Sequence, residues 1–447
     1  MRIRHKLFLI CSVVGLLILY IQVWTLGYRF SKDYFIEQLS DIRKENYSSI
    51  FIYRAYYDDR TAKNTIRILA ISKCLKNTTK LSMIVNGVVT PLKYQPVEGG
   101  CPWAWAKKCE WNAYEFQSVK VFEAPDQVEI IINDERSLVV EVERRQPVAA
   151  GQIQVCVPPL YWYHDWSRLI LFFELWKKHK VTFIMYANSI STSAARVIEY
   201  YNAQGLVQLV NWPMLPPSAD GDDPNAGLYR LSHSLAHNDC ALRMEAEFGV
   251  LLDVDEYIHV SNNLTLFEYV KPRFDGEPKL GSLMFKHFGL KVGQLNGSFD
   301  GIVNAEFFPN DRPSKTVFKP EAVRFLSTHW VFKHEPQSMK KKKVIATDGM
   351  LLHYRMNFDD TDPKNATKLR EIDLDDVQWR AREAARDIFG DEMPPTRSEA
   401  SKIIEKCNAK WRSQGCKVPL LHCRKDLEDA DDWVFLSSTR DSHYRLL

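Results

Sequence analysis

The 447-residue chain has little excess charge of either sign. Its 59 lysines and arginines nearly cancel its 56 aspartates and glutamates. That argues against a nucleic-acid-binding protein, which would show a basic domain or stripe. The four lysines Lys340 to Lys343 read as a solvated loop. No G-x-G-x-x-G follows the first strand of the predicted α/β region, and no Walker-type loop occurs, so the dinucleotide and P-loop readings are weak. The cysteines include no C-x-x-C pair, so their spacing gives no sign of structural zinc.

Charge is missing altogether from Leu7 to Tyr28, a stretch dense in Leu, Ile, Val and Phe. It is long enough to cross a hydrocarbon core as a helix, at about 20 residues per span. Arg2, Arg4 and Lys6 precede it, which keeps the short N-terminus cytoplasmic. A cleaved signal peptide would have an apolar core of about 7–15 residues and a small-residue cleavage site. Here the run ends in Trp24, Leu26 and Tyr28. The expectation is a single-pass type II signal-anchor at 7–28 behind a cytoplasmic tail at 1–6, with the rest luminal. Sequons at Asn46, Asn77, Asn263, Asn296 and Asn365 agree with that placement. So do the cysteines beyond Cys11, even in number and suited to disulfides in an oxidising compartment. Cys101 with Cys109, and Cys407 with Cys416 or Cys423, are near enough in sequence to suggest local bridges.

Residues 29–49 are polar and read as a stem. From Ile50 short runs rich in Ile, Val and Tyr (FIYRAYY, TIRILAIS, LSMIVNGVV, QVEIIIND, SLVVEVERR) alternate with turn residues, which predicts a small all-β sandwich over 50–146. Near Pro147 the texture changes. GQIQVCV, VTFIMYAN, LVQLVNW and VLLDVDEYIHV read as strands; helices are expected from Asp165, from Ser191 to Gln204, and from Tyr229 to Phe248. This β-α repeat implies a mostly parallel sheet with its ligand beyond the C-terminal strand ends. The α/β domain is drawn as 147–360, and two helices in 361–447 form a C-terminal extension.

D-x-D is a weak motif, and five occur, starting at Asp220, Asp253, Asp360, Asp373 and Asp429. Four lie in polar surroundings and read as solvated surface. Only Asp253-Val254-Asp255 follows an apolar run, Phe248 to Leu252. If it continues that strand, both carboxylates point to one face. Two adjacent carboxylates repel, and a hard divalent cation such as Mg²⁺ or Mn²⁺ resolves the repulsion. The plainer alternative is an acidic strand end satisfied by Arg or backbone N–H groups.

The segment HNDCALRMEAEFGVLLDVDEYI resembles the region around the metal motif of glycosyltransferase family 92. VCVPPLYWYHDW, FFELWKKHKVTFIMYANS, FKHFG, SKTVFKPEAV with the later His329, and LLHYR match that family in order, over about residues 150–356. The resemblance implies a GT-A fold and transfer of galactose from UDP-galactose to a glycan, with inversion and Mn²⁺ assistance. With the anchor, it implies a Golgi enzyme. It also implies metal ligation by Asp253 and Asp255, with His353 as third ligand. Tyr186 and Asn188 are candidates for uridine contact, though Tyr186 suits core packing equally. Asp239 and Arg243, four apart on one helix face, either support the donor pocket or form an ordinary ion pair. Lys315 is a candidate to neutralise the diphosphate, against the reading of a surface lysine. An inverting transfer needs a carboxylate base; Glu306 is chosen over Asp300 and Asp311. The stretch after FKHFG departs from the family texture, which leaves the acceptor open. A non-catalytic glycan-binding protein and a metal-dependent phosphate-ester hydrolase are the rival readings; the second would want a larger ligand cluster.

Overall fold

In a computed structural model the protein is described from Ile50 to Ser437 and at Arg445–Leu446, less short stretches of which the longest are 356–364, 411–415 and 417–422. The expected tail, anchor and stem, and Asn46 and Asn77, lie outside the described residues. Among the described residues, no helix is long and apolar enough to cross a membrane.

The first seven strands are β1 (Ile50–Asp58), β2 (Thr65–Lys73), β3 (Leu81–Val85), β4 (Val88–Pro96), β5 (Trp111–Ser118), β6 (Gln127–Ile132) and β7 (Arg136–Arg144). Their order is β2-β5-β4-β3-β6-β7-β1, and β1 pairs again with β2. The sheet therefore closes on itself, where a two-sheet sandwich was expected. Closure depends on β4, which pairs with β3 through Val88 to Pro91 and with β5 through Leu92 to Pro96. Strand β1 is buried on both faces. Ile50, Ile52, Ala55 and Tyr57 pack inside the ring, while Phe51, Tyr53 and Tyr56 pack outward against Leu235 and Ala236 of the α/β region. A register shift between Ile52 and Arg54 re-phases the alternation.

The α/β region runs β8 (Ala149–Leu160), α1 (Trp166–Trp176), β9 (Thr182–Ala187), β10 (Ser189–Ser191), α2 (Thr192–Ala203), β11 (Val207–Asn211), α3 (His233–Arg243) and β12 (Ala246–Leu251). Strands β11-β9-β8-β12 are parallel, as the repeat predicts. Helix α1 starts at Asp165, whose side chain accepts from the Arg168 N–H. All of its residues are buried, which fits its Leu, Ile and Phe content. Each such side chain contributes roughly 1.5–3 kcal/mol when fully buried. The predicted 229–248 helix is shorter, because Arg230, Leu231 and Ser232 take left-handed backbone angles and the chain turns extended at Met244.

Then follow β13 (Glu256–Val260), α4 (Leu266–Gly276), β14 (Leu280–Phe285), β15 (His287–Lys291), β16 (Glu306–Pro309), β17 (Lys315–Phe318), β18 (Val323–Leu326), β19 (Val331–His334), β20 (Lys340–Lys343), β21 (Gly349–His353) and β22 (Thr367–Lys368). Strand β17 adds to β12 antiparallel, β14 pairs antiparallel with β17 and so runs with the main sheet again, and β20 closes the edge parallel to β14. The lysine run expected as a loop is thus an exposed edge strand, where lysine discourages pairing with another chain. A second sheet, β13-β21-β15-β16-β22, stands beside the first.

The C-terminal segment holds α5 (Leu374–Phe389), α6 (Glu399–Lys410), β23 (Trp433–Phe435) and β24 (Arg445–Leu446). Helix α5 packs on α1, and its Arg380 Nε donates to the buried Glu174 at 3.0 Å. Strand β23 pairs with β10, and β24 adds to β1 of the ring. The disulfides join Cys74–Cys101, Cys109–Cys416, Cys156–Cys240 and Cys407–Cys423. Of the local bridges expected, only Cys407 with Cys423 forms. Folding of the ring brings Cys74 to Cys101, and Cys109 ties it to the C-terminal segment.

Candidate functional site

Asp253 and Asp255 lie in the four-residue link Leu252–Asp255 between β12 and β13, and these two strands belong to different sheets. The motif is therefore a turn between sheets, where continuation of a strand was expected. The Glu256 N–H donates to the Asp253 carbonyl at 3.2 Å, and the Asp253 N–H donates to the Glu256 carboxylate at 2.8 Å. This double tie bends the chain and leaves both aspartate side chains partly open, 38% exposed for Asp253 and 26% for Asp255.

Two other strands bring partners to that link. Lys315, the first residue of β17, is buried; its Nζ donates to Asp253 Oδ2 at 3.0 Å and to the Thr328 carbonyl at 3.2 Å, and lies 3.3 Å from Glu256. His353, the last residue of β21, sets Nε2 3.0 Å from Asp255 Oδ2. Its Nδ1 bonds to Nε2 of His287 at 2.8 Å. Arg355 Nε lies 3.9 Å from Asp255 Oδ2.

Charge compensation fixes the ionisation states. Burial raises the Asp253 pKa, but the ammonium of Lys315 outweighs it and holds the group well below the usual carboxylate range. Burial likewise opposes Asp255, and the His353 imidazole wins and lowers it. The reciprocal contest raises His353, where Asp255 outweighs burial. Glu256 has no such surplus: burial pushes it up to about 7 despite Lys315. Three further histidines stay neutral beside Asp253. Burial lowers His233 to about 3 and His329 to about 4, and takes His237 well below its usual value.

The donor types around the link suit a hard divalent cation: two carboxylates and an imidazole nitrogen next to one of them. Asp255 and His353 already converge, while Asp253 is shared with Lys315. Among the described residues, no three side chains of the metal-binding types surround one point. The residues thus fit a cation in kind, with two of the three drawn together.

The other expected residues gather elsewhere. Asp239 is wholly enclosed and accepts from Tyr56 OH at 2.5 Å, Tyr186 OH at 2.6 Å and Arg243 Nε at 2.9 Å, with Arg54 at 3.7 Å. Tyr56 and Arg54 come from the β ring, so Tyr186, Asp239 and Arg243 form a clamp between the ring and the α/β layer. Enclosed this way, Asp239 and Tyr186 have no surface for a nucleotide. Asn188 Nδ2 donates to the Trp212 carbonyl at 2.9 Å, and its own carbonyl accepts from Leu436 N–H beside β23. Asp300 is held by Ser298, Gln378 and Arg382 against α5. Glu306 pairs across β16 with Lys291 and Lys368. Past the end of that ladder at Phe288–Pro309, the Asn310 backbone bears on His287 and Arg312 feels the charge of Asp255.

Sequence reasoning missed several residues here. Arg312 and Arg355 are close enough to repel one another, and both feel the charge of Asp255. Arg230, whose φ of 46° belongs to the left-handed region, feels the charge of Asp253. Three successive non-glycine residues in that region, Arg230 to Ser232, mark strain of the sort that clusters at functional sites. Asn263 lies past the far end of β13 and is exposed, so a glycan there would point away from the Asp255 end.

The sequence model of glycosyltransferase family 92 matches residues 151–385. A Caenorhabditis elegans relative, "Glycosyltransferase family 92 protein F55C10.4", is 25% identical over 236 residues, covering 50% of this chain and 44% of the relative. The chain therefore matches less than half the length of that protein. Among solved structures, S. aureus TarS in complex with UDP aligns with 12% identity and a TM-score of 0.28, over 46% of this chain and 60% of TarS. An active-site mutant of LgtC aligns with 14% identity and a TM-score of 0.20, over 38% of this chain and 57% of LgtC. These two overlaps are too slight to carry a ligand or a mechanism across.

Proposed function

The chain belongs to glycosyltransferase family 92, and on that premise we propose that it is a GT-A-type transferase that moves galactose from UDP-galactose to a glycan acceptor, with inversion, in the Golgi lumen. The observation that carries this reading is the convergence of Lys315 and His353 on the partly exposed Asp253–Asp255 link, inside the segment matched to the family.

Asp253, Asp255 and His353 would hold Mn²⁺ or Mg²⁺, which when bound supplies Lewis-acid stabilisation of the departing diphosphate. The protein's own cations act on the same charge. The UDP leaving group becomes more negative as its bond to the sugar breaks, so cations fixed beside it favour the transition state over the intact donor. Lys315 is rigid, buried and already charged. Arg312 and Arg355 reach the Asp255 side and Arg230 the Asp253 side; an anion between them relieves their mutual repulsion. Glu256 ties the turn together from beneath. For the proton on the acceptor hydroxyl, Asp311 is preferred to Glu306, because its chain neighbour Arg312 feels the charge of Asp255. The exposed face of the link is where the acceptor would enter.

The test is UDP release by the purified full-length chain across a panel of UDP-sugars and glycan acceptors, with Mn²⁺. UDP-galactose turnover is expected to exceed that of the other donors. Turnover with a different sugar would replace the donor, and glycan binding without turnover of any donor would favour the non-catalytic reading. Protease protection in microsomes checks the anchor: the C-terminus should be luminal.

A further inference from the structure

His287 and His353 stand on neighbouring parallel strands, β15 and β21. The register sets Gly289 opposite His353 and His287 opposite Leu351, so the two histidines are two positions apart along the ladder. That spacing puts their side chains on one face of the sheet. Their rings lie 5.0 Å apart at 73°, with His287 Nε2 2.8 Å from His353 Nδ1. Both are buried, at 1% and 6% exposure.

A hydrogen bond between two imidazole nitrogens holds one proton, and a neutral imidazole has one donor and one acceptor. What lies on the far side of each ring decides which nitrogen carries it. His287 Nδ1 makes no well-aligned hydrogen bond, but the Asn310 carbonyl beside it favours a proton there. His287 Nε2 is then the acceptor, and His353 Nδ1–H the donor. With Nδ1–H so tethered, the proton that His353 can give up is the one on Nε2, 3.0 Å from Asp255 Oδ2, and a cation taking that proton's place would meet the Nε2 lone pair. The opposite tautomer would place a proton on Nε2 and block it as a ligand.

We infer that His287 is a positioning residue that fixes the tautomer and ring orientation of His353, so that His353 Nε2 is presented beside Asp255 as the nitrogen ligand of a divalent cation. This rests on the metal reading given above. Ligand histidines commonly donate their second N–H to a carboxylate or a carbonyl. A neutral imidazole here gives the same tether without adding a negative charge to a link that already holds Asp253, Asp255 and Glu256. Gly289 belongs to the same device. It pairs with His353, and its missing side chain lets the Phe308 ring of β16 lie directly against the strand.

The experiment is Mn²⁺ titration of the full-length chain by electron paramagnetic resonance of the free ion, with circular dichroism as the check on folding. His287→Leu and His287→Phe remove the acceptor, and Phe also keeps the ring volume. Loss of such a tether costs about 10–100-fold in metal affinity, and that loss is expected in whichever of the two variants folds. His287→Gln offers an oxygen near the Nε2 position and should bind Mn²⁺ within about threefold of wild type, a rescue that a purely packing role would not produce. Unchanged affinity in the Leu or Phe variant, or an equal loss in Gln, overturns the assignment while leaving the metal reading intact. A wild-type chain that binds no Mn²⁺ overturns both.

Discussion

Of the acids that meet cations in this protein, two groups differ in how much surface they keep. Asp239 is closed off: two tyrosine hydroxyls and Arg243 bond its oxygens, Arg54 lies near, and its exposure is 0%. Asp253 and Asp255 are answered as fully in charge, by Lys315 and His353, yet they keep 38% and 26% of their side-chain surface. The first arrangement joins two layers of the fold. The second leaves room for a ligand. Ion pairing alone therefore does not distinguish a structural acid from a functional one; the surface left after pairing does.

The largest effect that separates the two is on catalysis. Asp255→Ala should lower UDP release at least about a thousandfold, or about 4 kcal/mol in transition-state stabilisation, with little change in stability. Asp239→Ala should do the reverse. Breaking a buried charge pair costs about 3–5 kcal/mol, so chemical denaturation should show a large loss, while the fraction that remains folded keeps its turnover. If Asp239→Ala abolishes turnover at unchanged stability, the comparison fails.

Next come the cations and the base. Arg355→Ala should raise KM for the donor about tenfold with a smaller effect on kcat, as expected for a partly exposed charge-assisted phosphate contact. Asp311→Asn should lower kcat at least tenfold, within the usual range for a general base. Glu306→Gln and Asp300→Asn should change it less than about threefold. A larger effect at Glu306 would return the base to β16.

The smallest effect is in pH. Burial raises the Asp239 pKa, but Arg243, Arg54 and the tyrosine hydroxyls outweigh it, so the folded value lies below the ordinary 3.8. The clamp's contribution is therefore full above about pH 4 and fades as pH falls through the lower folded value. Unfolding free energies at pH 6 and pH 3.5 should drop more for wild type than for Asp239→Ala. An equal drop would show that other carboxylates carry the acid sensitivity.

The sequence made the parallel half of the fold legible because each element there has its own period. The Asp165 cap, the apolar α1 and the strands β8, β9 and β11 follow from local pattern. The second sheet was not legible. Its strands are at most five residues long and their partners are distant, so β13 meets β21 across 89 to 97 positions. Ring closure was hidden for the same reason: only pairing of β1 with both β2 and β7 distinguishes it from a sandwich. At the site, Asp253, Asp255, Lys315 and His353 came from the motif and the family resemblance, and the structure pairs Lys315 with Asp253 and His353 with Asp255. For Asp239, Arg243 and Tyr186 both a packing and a donor reading stood open, because helix spacing shows a shared face and not what covers it; the structure places all three in the packed clamp. His287, Arg312 and Arg230 had no motif to announce them, since their roles depend on strand register and on backbone angles.

The central claim is that the open Asp253–Asp255 link is the donor site and works with a divalent cation. Its most direct test is UDP release from UDP-galactose by the full-length chain, first with EDTA and then with added Mn²⁺. The account predicts turnover lost with the chelator and restored by Mn²⁺, with no restoration in Asp255→Ala. Equal turnover in EDTA, or in that variant, would contradict it.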